Sequence, residues 1–191
     1  MQVRVDIPAG MRVPFSIRME EHTFIFTDLV GFTTLTAERG DEHAADVALA
    51  FYDRVRALLG DHGAQEVKTI GDAMMLRCSD AAAAVDLGLC IVRATETPPP
   101  LPTVRVGVHT GPAVCRGDDW YGTTVNVAAR LCSAAGGGEV LVSEQTRAAA
   151  ARLPKIELGE RRLHWLKNLS RPIAAHVATE RACGFGALEA A

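Results

Sequence analysis

The feature that most constrains the fold is the order in which short β-like segments and longer helix-like segments follow one another. The segment HTFIFTD (22–28) is rich in β-forming residues and predicts a strand that ends near Asp28. Apolar residues at helical spacing predict a helix over 41–60, and an alanine-rich stretch predicts a second over about 80–94. Between them, EVKTIGDAMMLR predicts two short strands joined by a tight turn at 70–72.

The second half of the chain continues the alternation. Its predicted elements are a strand over TVRVGVHTG (103–111), a helix over WYGTTVNVAARLCSAA (120–135), a strand over EVLVS (139–143), a short helix over SEQTRAAAARL (143–153), and two closing strands near IELGERRLHWL (156–166) and PIAAHVAT (172–179). The order predicts an α+β fold, with a ferredoxin-like βαββαβ core and extra C-terminal αββ elements. We expect the sheet to contain antiparallel strands and the helices to pack on one of its faces.

The length of 191 residues suits one compact domain with short tails. Residues 1–21 hold two prolines and little periodicity, so we interpret them as an arm or linker. The domain is expected over 22–180, and 181–191 is expected to be a tail. No internal repeat interrupts this division.

Composition excludes several classes of protein. The net charge of -3 provides no basic surface for nucleic acid, and no stretch approaches the roughly 20 apolar residues of a membrane span. The N-terminus lacks a signal-peptide pattern. Five cysteines without a CxxC pair are expected to be reduced thiols, mostly in the core, and we expect a soluble, cytoplasmic protein.

Polar residues at the ends of apolar segments are the first candidates for a functional site. Asp28 follows a predicted strand and Asp72 lies in a predicted turn, so neighbouring strands could bring both carboxylates to one edge and hold a divalent cation. The alternative is that each aspartate only forms a turn. Asn126 and Arg130 share a helix face and could bind a phosphate, or form an ordinary solvated face. The sequence has neither a P-loop nor a dinucleotide-binding fingerprint.

Four stretches, taken in order, resemble the class III adenylyl/guanylyl cyclases. They are FTDLVGFT (26–33), VKTIGDAMM (67–75), VRVGVHTG (104–111) and DWYGTTVNVAAR (119–130). The resemblance covers about 22–180 and ends in LKNLSRPIAAHV, which is similar to the last strands of the family. It implies the class III nucleotidyl cyclase fold.

The resemblance also implies a role for each matching residue. The metal ligands would be Asp28, Asp72 and the Leu29 carbonyl, and the residues that select adenine would be Lys68 and Asp119. Asn126 would orient the ribose, and Arg130 would stabilise the transition state. The triphosphate would be contacted by Arg105 and Lys167. Asp118 is an alternative to Asp119 in this set. The implied cofactors are two divalent ions per site, Mg²⁺ or Mn²⁺.

The implied activity is an adenylate cyclase that converts ATP to cyclic AMP in a homodimer with active sites shared between the two chains. Alternatives are a catalytically silent nucleotide-binding module of the same fold and a guanylate cyclase. A GGDEF-type dinucleotide cyclase is disfavoured because no such loop is present. The connection between VRVGVHTG and Asp119 is shorter than in mammalian-type members, so the subunit packing stays open. The sequence does not identify a regulatory domain or signal.

Overall fold

A computed structural model describes residues 21–181. The predicted arm and tail, together with Cys183, therefore fall outside the described residues, except for Glu21 and Arg181 at the boundaries. The strands are β1 Glu21–Leu29, β2 Ala64–Ile70, β3 Ala73–Cys78, β4 Val104–Pro112, β5 Val114–Arg116, β6 Asp119–Tyr121, β7 Val140–Ser143, β8 Ile156–Leu158, β9 Arg162–His164 and β10 Ile173–Glu180. The helices are α1 Phe32–Arg39, α2 Asp41–Leu59, α3 Ala81–Glu96, α4 Thr123–Ala134 and α5 Glu144–Ala149, and a 3-10 turn spans Gly60–His62.

Eight strands form one mixed sheet. Its order is β2-β3-β1-β4-β7-β10-β8, with β9 also paired to β10. The β4–β7 pairing is parallel and the others are antiparallel, while β5 and β6 form a separate hairpin. The first four strands and the helices between them make the βαββαβ core, which confirms the predicted α+β fold.

The helices cover both faces of this sheet, so the prediction of a single covered face was wrong. Side chains alternate along a strand, and Ile25 packs into a core formed with α2 and α3. Its neighbours Phe24 and Phe26 point the other way and pack against α4. The extra C-terminal part of the chain supplies α4 and extends the sheet beyond β4, so it buries the face that the βαββαβ core leaves open.

Gly107 permits an unusually close approach of α4 to the sheet. A Cβ atom at this position would lie 2.1 Å from the backbone N of Cys132 and 2.5 Å from the carbonyl O of Ala128. Both atoms belong to α4, and they cannot move aside separately. A residue without a side chain is therefore required where β4 passes beneath the helix.

Several predicted boundaries need correction. The GFT turn after β1 continues into α1, whose residues are not deeply buried and show no apolar stripe. The helix predicted from residue 120 begins only at Thr123, because Asp119–Tyr121 forms β6 and Gly122 precedes the helix. The first closing strand is two short strands, β8 and β9. Within residues 21–181, no helix combines the length and the apolar character that a membrane span requires.

Candidate active site

The two predicted metal-binding carboxylates lie at the same end of the sheet. Asp28 is the second-last residue of β1, and Asp72 lies in the β2–β3 turn, which Gly71 allows by adopting a φ of 62°. The backbone of Leu29 hydrogen-bonds the Asp72 carboxylate. The pKa of Asp72 is raised above its usual value, first by burial and then by the negative charge of Asp28. A cation at this end of the sheet would favour the charged form of Asp72 beside Asp28.

Arg105 holds one of these carboxylates. It is the direct cross-strand partner of Asp28 in the β1–β4 pairing. Its Nε and Nη2 atoms lie 2.7 and 2.5 Å from Asp28 Oδ2, and its Nη1 donates to the Ser133 carbonyl at 3.2 Å. The guanidinium therefore fixes the position of Asp28 beside the C-terminal end of α4.

Lys68 and Asp119, the predicted base-selecting pair, are in direct contact although they are 51 residues apart. The Nζ of Lys68 lies 2.6 Å from Asp119 Oδ2. Lys68 is paired with Met75 on β3, and Met75 packs in the α4-side core, so the ammonium lies on the face that carries α4. The Lys68 ammonium and the Trp120 backbone N–H both lower the pKa of Asp119, which favours its charged form.

The β5–β6 hairpin positions Asp119 next to Lys68. Its Trp120 packs edge-on against His22, with ring centroids 4.4 Å apart, and against Phe24 at 5.7 Å. These contacts hold β6 over the start of β1. The rival aspartate, Asp118, is exposed in the hairpin turn, so Asp119 rather than Asp118 contacts Lys68.

Asn126 and Arg130 lie on the face of α4 that points away from the sheet. Val125 and Ala128 face the sheet and are buried, whereas Asn126 is exposed and Arg130 is half-exposed. The guanidinium of Arg130 donates to the backbone carbonyl of Lys167. Arg130 and Lys167, both predicted to bind phosphate, are thus in contact, and the side chain of Lys167 is exposed.

Tyr52 contacts the turn that carries Asp72, and the sequence did not reveal this contact. Its hydroxyl, on α2, donates to the carbonyl of Gly71 in the turn that carries Asp72. Burial and the charge of Asp72 raise the pKa of Tyr52, so the hydroxyl keeps its proton. Tyr52 falls on the apolar face of a predicted helix, and no spacing pattern distinguishes its hydrogen bond from ordinary packing.

His109 lies on the α4 side of β4 but is buried. Its Nδ1 lies 2.8 Å from Ser143 Oγ, and burial lowers the pKa of His109 to about 4. The ring is therefore neutral near neutral pH and has a hydrogen-bonding role in the core.

Fold and sequence together define the class of this protein. Residues 16–168 match the family model described as the adenylate and guanylate cyclase catalytic domain. The match covers well over half of the chain, which therefore belongs to this family.

Two individual relatives are each similar to this chain over more than half of its length. The chain is 38% identical over 154 residues to a pH-sensitive adenylate cyclase of Mycobacterium tuberculosis, covering 76% of this chain and 38% of that protein. It is 38% identical over 117 residues to an adenylate cyclase of Streptomyces coelicolor, covering 61% of this chain and 31% of that protein. The chain thus spans less than two fifths of the length of these curated relatives.

Solved structures show the same fold. A Trypanosoma brucei adenylate cyclase, studied in its monomeric state, superposes with a TM-score of 0.73 at 27% identity and covers 83% of this chain and 88% of that one. A guanylate cyclase domain from Catenaria anguillulae in complex with GTP has a TM-score of 0.75 at 24% identity, covering 85% and 97%. The second likeness is one of fold alone.

Proposed function

We propose that this chain is an adenylate cyclase catalytic domain that converts ATP to 3′,5′-cyclic AMP and pyrophosphate, in the cytoplasm and as a homodimer. The observation that carries the proposal is the Lys68–Asp119 pair, whose Nζ and Oδ2 atoms lie 2.6 Å apart. A half-exposed ammonium and carboxylate side by side offer one donor and one acceptor to a planar base. The adenylate cyclases among the relatives support the same substrate.

Purine selection follows from the polarity of this pair. Adenine presents an acceptor at N1 and a donor at its 6-amino group, so Lys68 can donate to the first and Asp119 can accept from the second. Guanine presents the opposite polarity at both positions. Because a polar site rejects a base that leaves its groups unpaired, we expect ATP to be preferred over GTP by at least about 100-fold in kcat/KM.

Asp28 and Asp72, with the carbonyl of Leu29, are the residues that would hold divalent ions. The donor set fits, because hard oxygen ligands suit Mg²⁺ or Mn²⁺ and a cation would relieve the unfavourable ionisation of Asp72. Two bound ions would supply charge neutralisation on the triphosphate and a lower pKa for the attacking ribose 3′-hydroxyl. In this account Arg105 orients Asp28 before the ions bind, and reaches phosphate oxygens once they are in place.

Asn126 and Arg130 would act on the reacting part of ATP. Asn126 would hold the ribose so that its 3′-hydroxyl is in line with the α-phosphorus. Arg130 would stabilise the negative charge that grows on the α-phosphoryl oxygens, and a positioned donor of this kind commonly contributes roughly 3–4 kcal/mol to lowering a barrier. Lys167 would bind the outer phosphates, since its backbone already contacts Arg130.

The directions of these groups support a site shared by two chains. Asp28 and Asp72 lie at the end of the sheet, whereas Asn126 and Arg130 point away from it on the outer face of α4. One chain thus presents the two halves of the catalytic set in different directions. In a two-fold dimer, each site would take its metal-binding aspartates from one chain and its base, ribose and transition-state residues from the other.

Exposed apolar side chains mark a surface for the second chain. Trp165 is 77% exposed, and Leu163, Tyr121 and Ile70 are each at least half exposed. Tyr121 lies next to the base-selecting residue Asp119, and Trp165 is two residues from Lys167. Large apolar side chains beside functional residues are typical of an interface, and burying them would stabilise the dimer.

Two alternative functions are each favoured by one observation. The family model includes guanylate cyclases, but the polarity of Lys68 and Asp119 disfavours GTP. A catalytically silent module is favoured only by the ion pair between Arg105 and Asp28, which engages one carboxylate oxygen. The presence of both aspartates, Asn126 and Arg130 argues for activity.

The direct test is to incubate the purified protein with ATP or GTP and Mg²⁺ or Mn²⁺, and to measure cyclic AMP and cyclic GMP. We expect cyclic AMP that depends on the divalent ion. The double variant Lys68→Glu with Asp119→Cys should shift the preference toward GTP, with Asp118→Asn as the matched control. Cyclic GMP as the main product of the unmodified protein, or selectivity unchanged in the double variant, would refute the assignment.

A further inference from the structure

A group of metal-ligating side chains lies away from the proposed active site, on the side of the sheet covered by α2 and α3. Asp86 and Cys90 are four residues apart and share a face of α3, and His62 ends the 3-10 turn that follows α2. The candidate ligand atoms of these three residues all lie within 4.8 Å of one another. We propose that His62, Asp86 and Cys90 form a binding site for a zinc-like transition-metal ion.

The hydrogen bonds of His62 carry the first part of the argument. Its Nδ1 lies 2.8 Å from the backbone carbonyl of Leu58, and because a carbonyl only accepts, Nδ1 carries the proton of that bond. Its Nε2 then lies 3.1 Å from Asp86 Oδ2. In a neutral ring this nitrogen has a lone pair facing a carboxylate oxygen, which is unfavourable unless a proton or a cation lies between them.

The same arrangement is the one that metal-binding histidines use. Such histidines donate the distal N–H to a carbonyl or carboxylate, which fixes the tautomer and aims the other nitrogen at the metal. The Leu58 carbonyl performs that role for His62, whose side chain is only 10% exposed and so is held in this orientation. Two ligand atoms on a tetrahedral zinc ion, each about 2.0 Å from the metal, lie about 3.3 Å apart. The 3.1 Å separation here is close to this value.

Cys90 would be the third ligand, and its sulfur favours a transition-metal ion over Mg²⁺ or Ca²⁺. The Nη2 atom of Arg93, one turn further along α3, lies 3.1 Å from Cys90 Sγ. Metal ions bind the thiolate form of cysteine, and this contact places a hydrogen-bond donor beside the sulfur. A set of imidazole nitrogen, thiolate sulfur and one carboxylate oxygen suits Zn²⁺ and its spectroscopic substitute Co²⁺, whereas Mg²⁺ and Ca²⁺ prefer oxygen alone. Three protein ligands leave the fourth position to water.

The location gives the site a structural consequence. His62 lies just before β2, the strand that carries Lys68 and leads to the turn with Asp72. The Sγ of the neighbouring Cys78, on β3, donates to the His62 carbonyl at 3.3 Å. A metal ion would therefore attach the base of the β2–β3 hairpin to α3, on the sheet face opposite Lys68.

Cobalt titration of the reduced full chain tests the proposal, with excess Mg²⁺ present to occupy oxygen-only sites. We expect a cobalt–thiolate charge-transfer band that saturates at one ion per chain and is removed by Zn²⁺. The band should disappear in Cys90→Ser and persist in Cys115→Ser, since Cys115 is exposed on β5 and does not belong to the cluster of three candidate ligands. In Asp86→Asn and His62→Gln, the affinity should fall by about 10-fold or more.

Circular dichroism of each variant establishes that it is folded. If Cys90→Ser does not fold, Asp86→Asn carries the test, because Asp86 is half-exposed and the substitution keeps its shape. The proposal is overturned by a folded wild-type protein without the band, by a band that survives in Cys90→Ser, or by unchanged affinity in Asp86→Asn. Those results would leave His62 and Asp86 as a simple ion pair. None of these readouts depends on cyclase activity.

Discussion

Replacing Gly107 with alanine should displace the helix that carries Asn126 and Arg130. The added Cβ would lie 2.1 Å from the backbone N of Cys132 and 2.5 Å from the Ala128 carbonyl. Real Cβ contacts are not this short, and the atoms in the way are backbone. The whole of α4 must therefore move away from β4, because its hydrogen-bonded turns cannot open individually.

The expected cost follows from this geometry. Inserting a methyl group into a well-packed core typically costs about 1–3 kcal/mol, and rigid backbone on the opposing side places Gly107→Ala at the upper end, about 3 kcal/mol. For a domain of this size, a loss of 3 kcal/mol lowers Tm by about 6–12 °C. A shift of about 1 Å in a residue that positions the substrate also lowers kcat by about 100-fold.

Thermal unfolding followed by circular dichroism, together with cyclic AMP production, measures both effects. Gly60→Ala is the matched control, because Gly60 has helical dihedral angles of −60° and −45° and no atom within 4 Å of a new Cβ. That control should be unchanged or more stable by about 0.4–1 kcal/mol. A Tm for Gly107→Ala within about 2 °C of the wild-type protein would show that α4 accommodates the added methyl group, contrary to this expectation.

Three further predictions concern single groups. Tyr52→Phe removes the hydrogen bond to the Gly71 carbonyl, so the free energy of unfolding should fall by about 0.5–1.5 kcal/mol. Because the turn that carries Asp72 loosens, the Mg²⁺ concentration for half-maximal activity should also rise. An unchanged Mg²⁺ requirement would contradict a role of Tyr52 in positioning Asp72. Asp72→Asn removes a carboxylate whose pKa is raised in the folded state, a group that costs stability once the pH exceeds its usual value of 3.8. With Mg²⁺ this variant should be inactive, and without divalent ions at pH 7 it should melt above the wild-type protein. A lower Tm would count against the interpretation. The pKa of His109 is lowered from 6.5 to about 4, so its contribution to stability is present above pH 6.5 and is lost as the pH falls toward 4; His109→Gln should flatten the pH dependence of Tm in that range, and an identical slope would exclude His109 as its source.

Local patterns predicted the parts of the fold that depend on local chemistry. The apolar spacing of Val47, Phe51 and Val55 predicted α2, and the turn chemistry of Gly71 and Asp72 predicted the β2–β3 hairpin. The order of such elements predicted the class of fold, whereas most of the candidate residues, Lys68 and Asp119 among them, followed from the resemblance to the cyclase family.

Features set by tertiary contacts were out of reach. The close approach of α4 to the second face of the sheet is possible because Gly107 has no Cβ. A glycine within a strand pattern does not by itself indicate that a helix packs against that position. Trp120 and Tyr121 were included in the predicted helix because the β6 pairing is made only with β5. Likewise, nothing in the spacing indicates that Cys90 and His62, 28 positions apart, come together.

The most direct test of the shared active site uses two inactive variants of the same chain. Asp72→Ala removes a metal-binding carboxylate, and Arg130→Ala removes the cation on the outer face of α4. Mixed in equal amounts and allowed to exchange subunits, they should form heterodimers with one intact site each. Half of the dimers would be mixed, so cyclic AMP production should return to about a quarter of the wild-type rate. No recovery of activity, with mixed dimers demonstrated by differential affinity tags, would contradict the account.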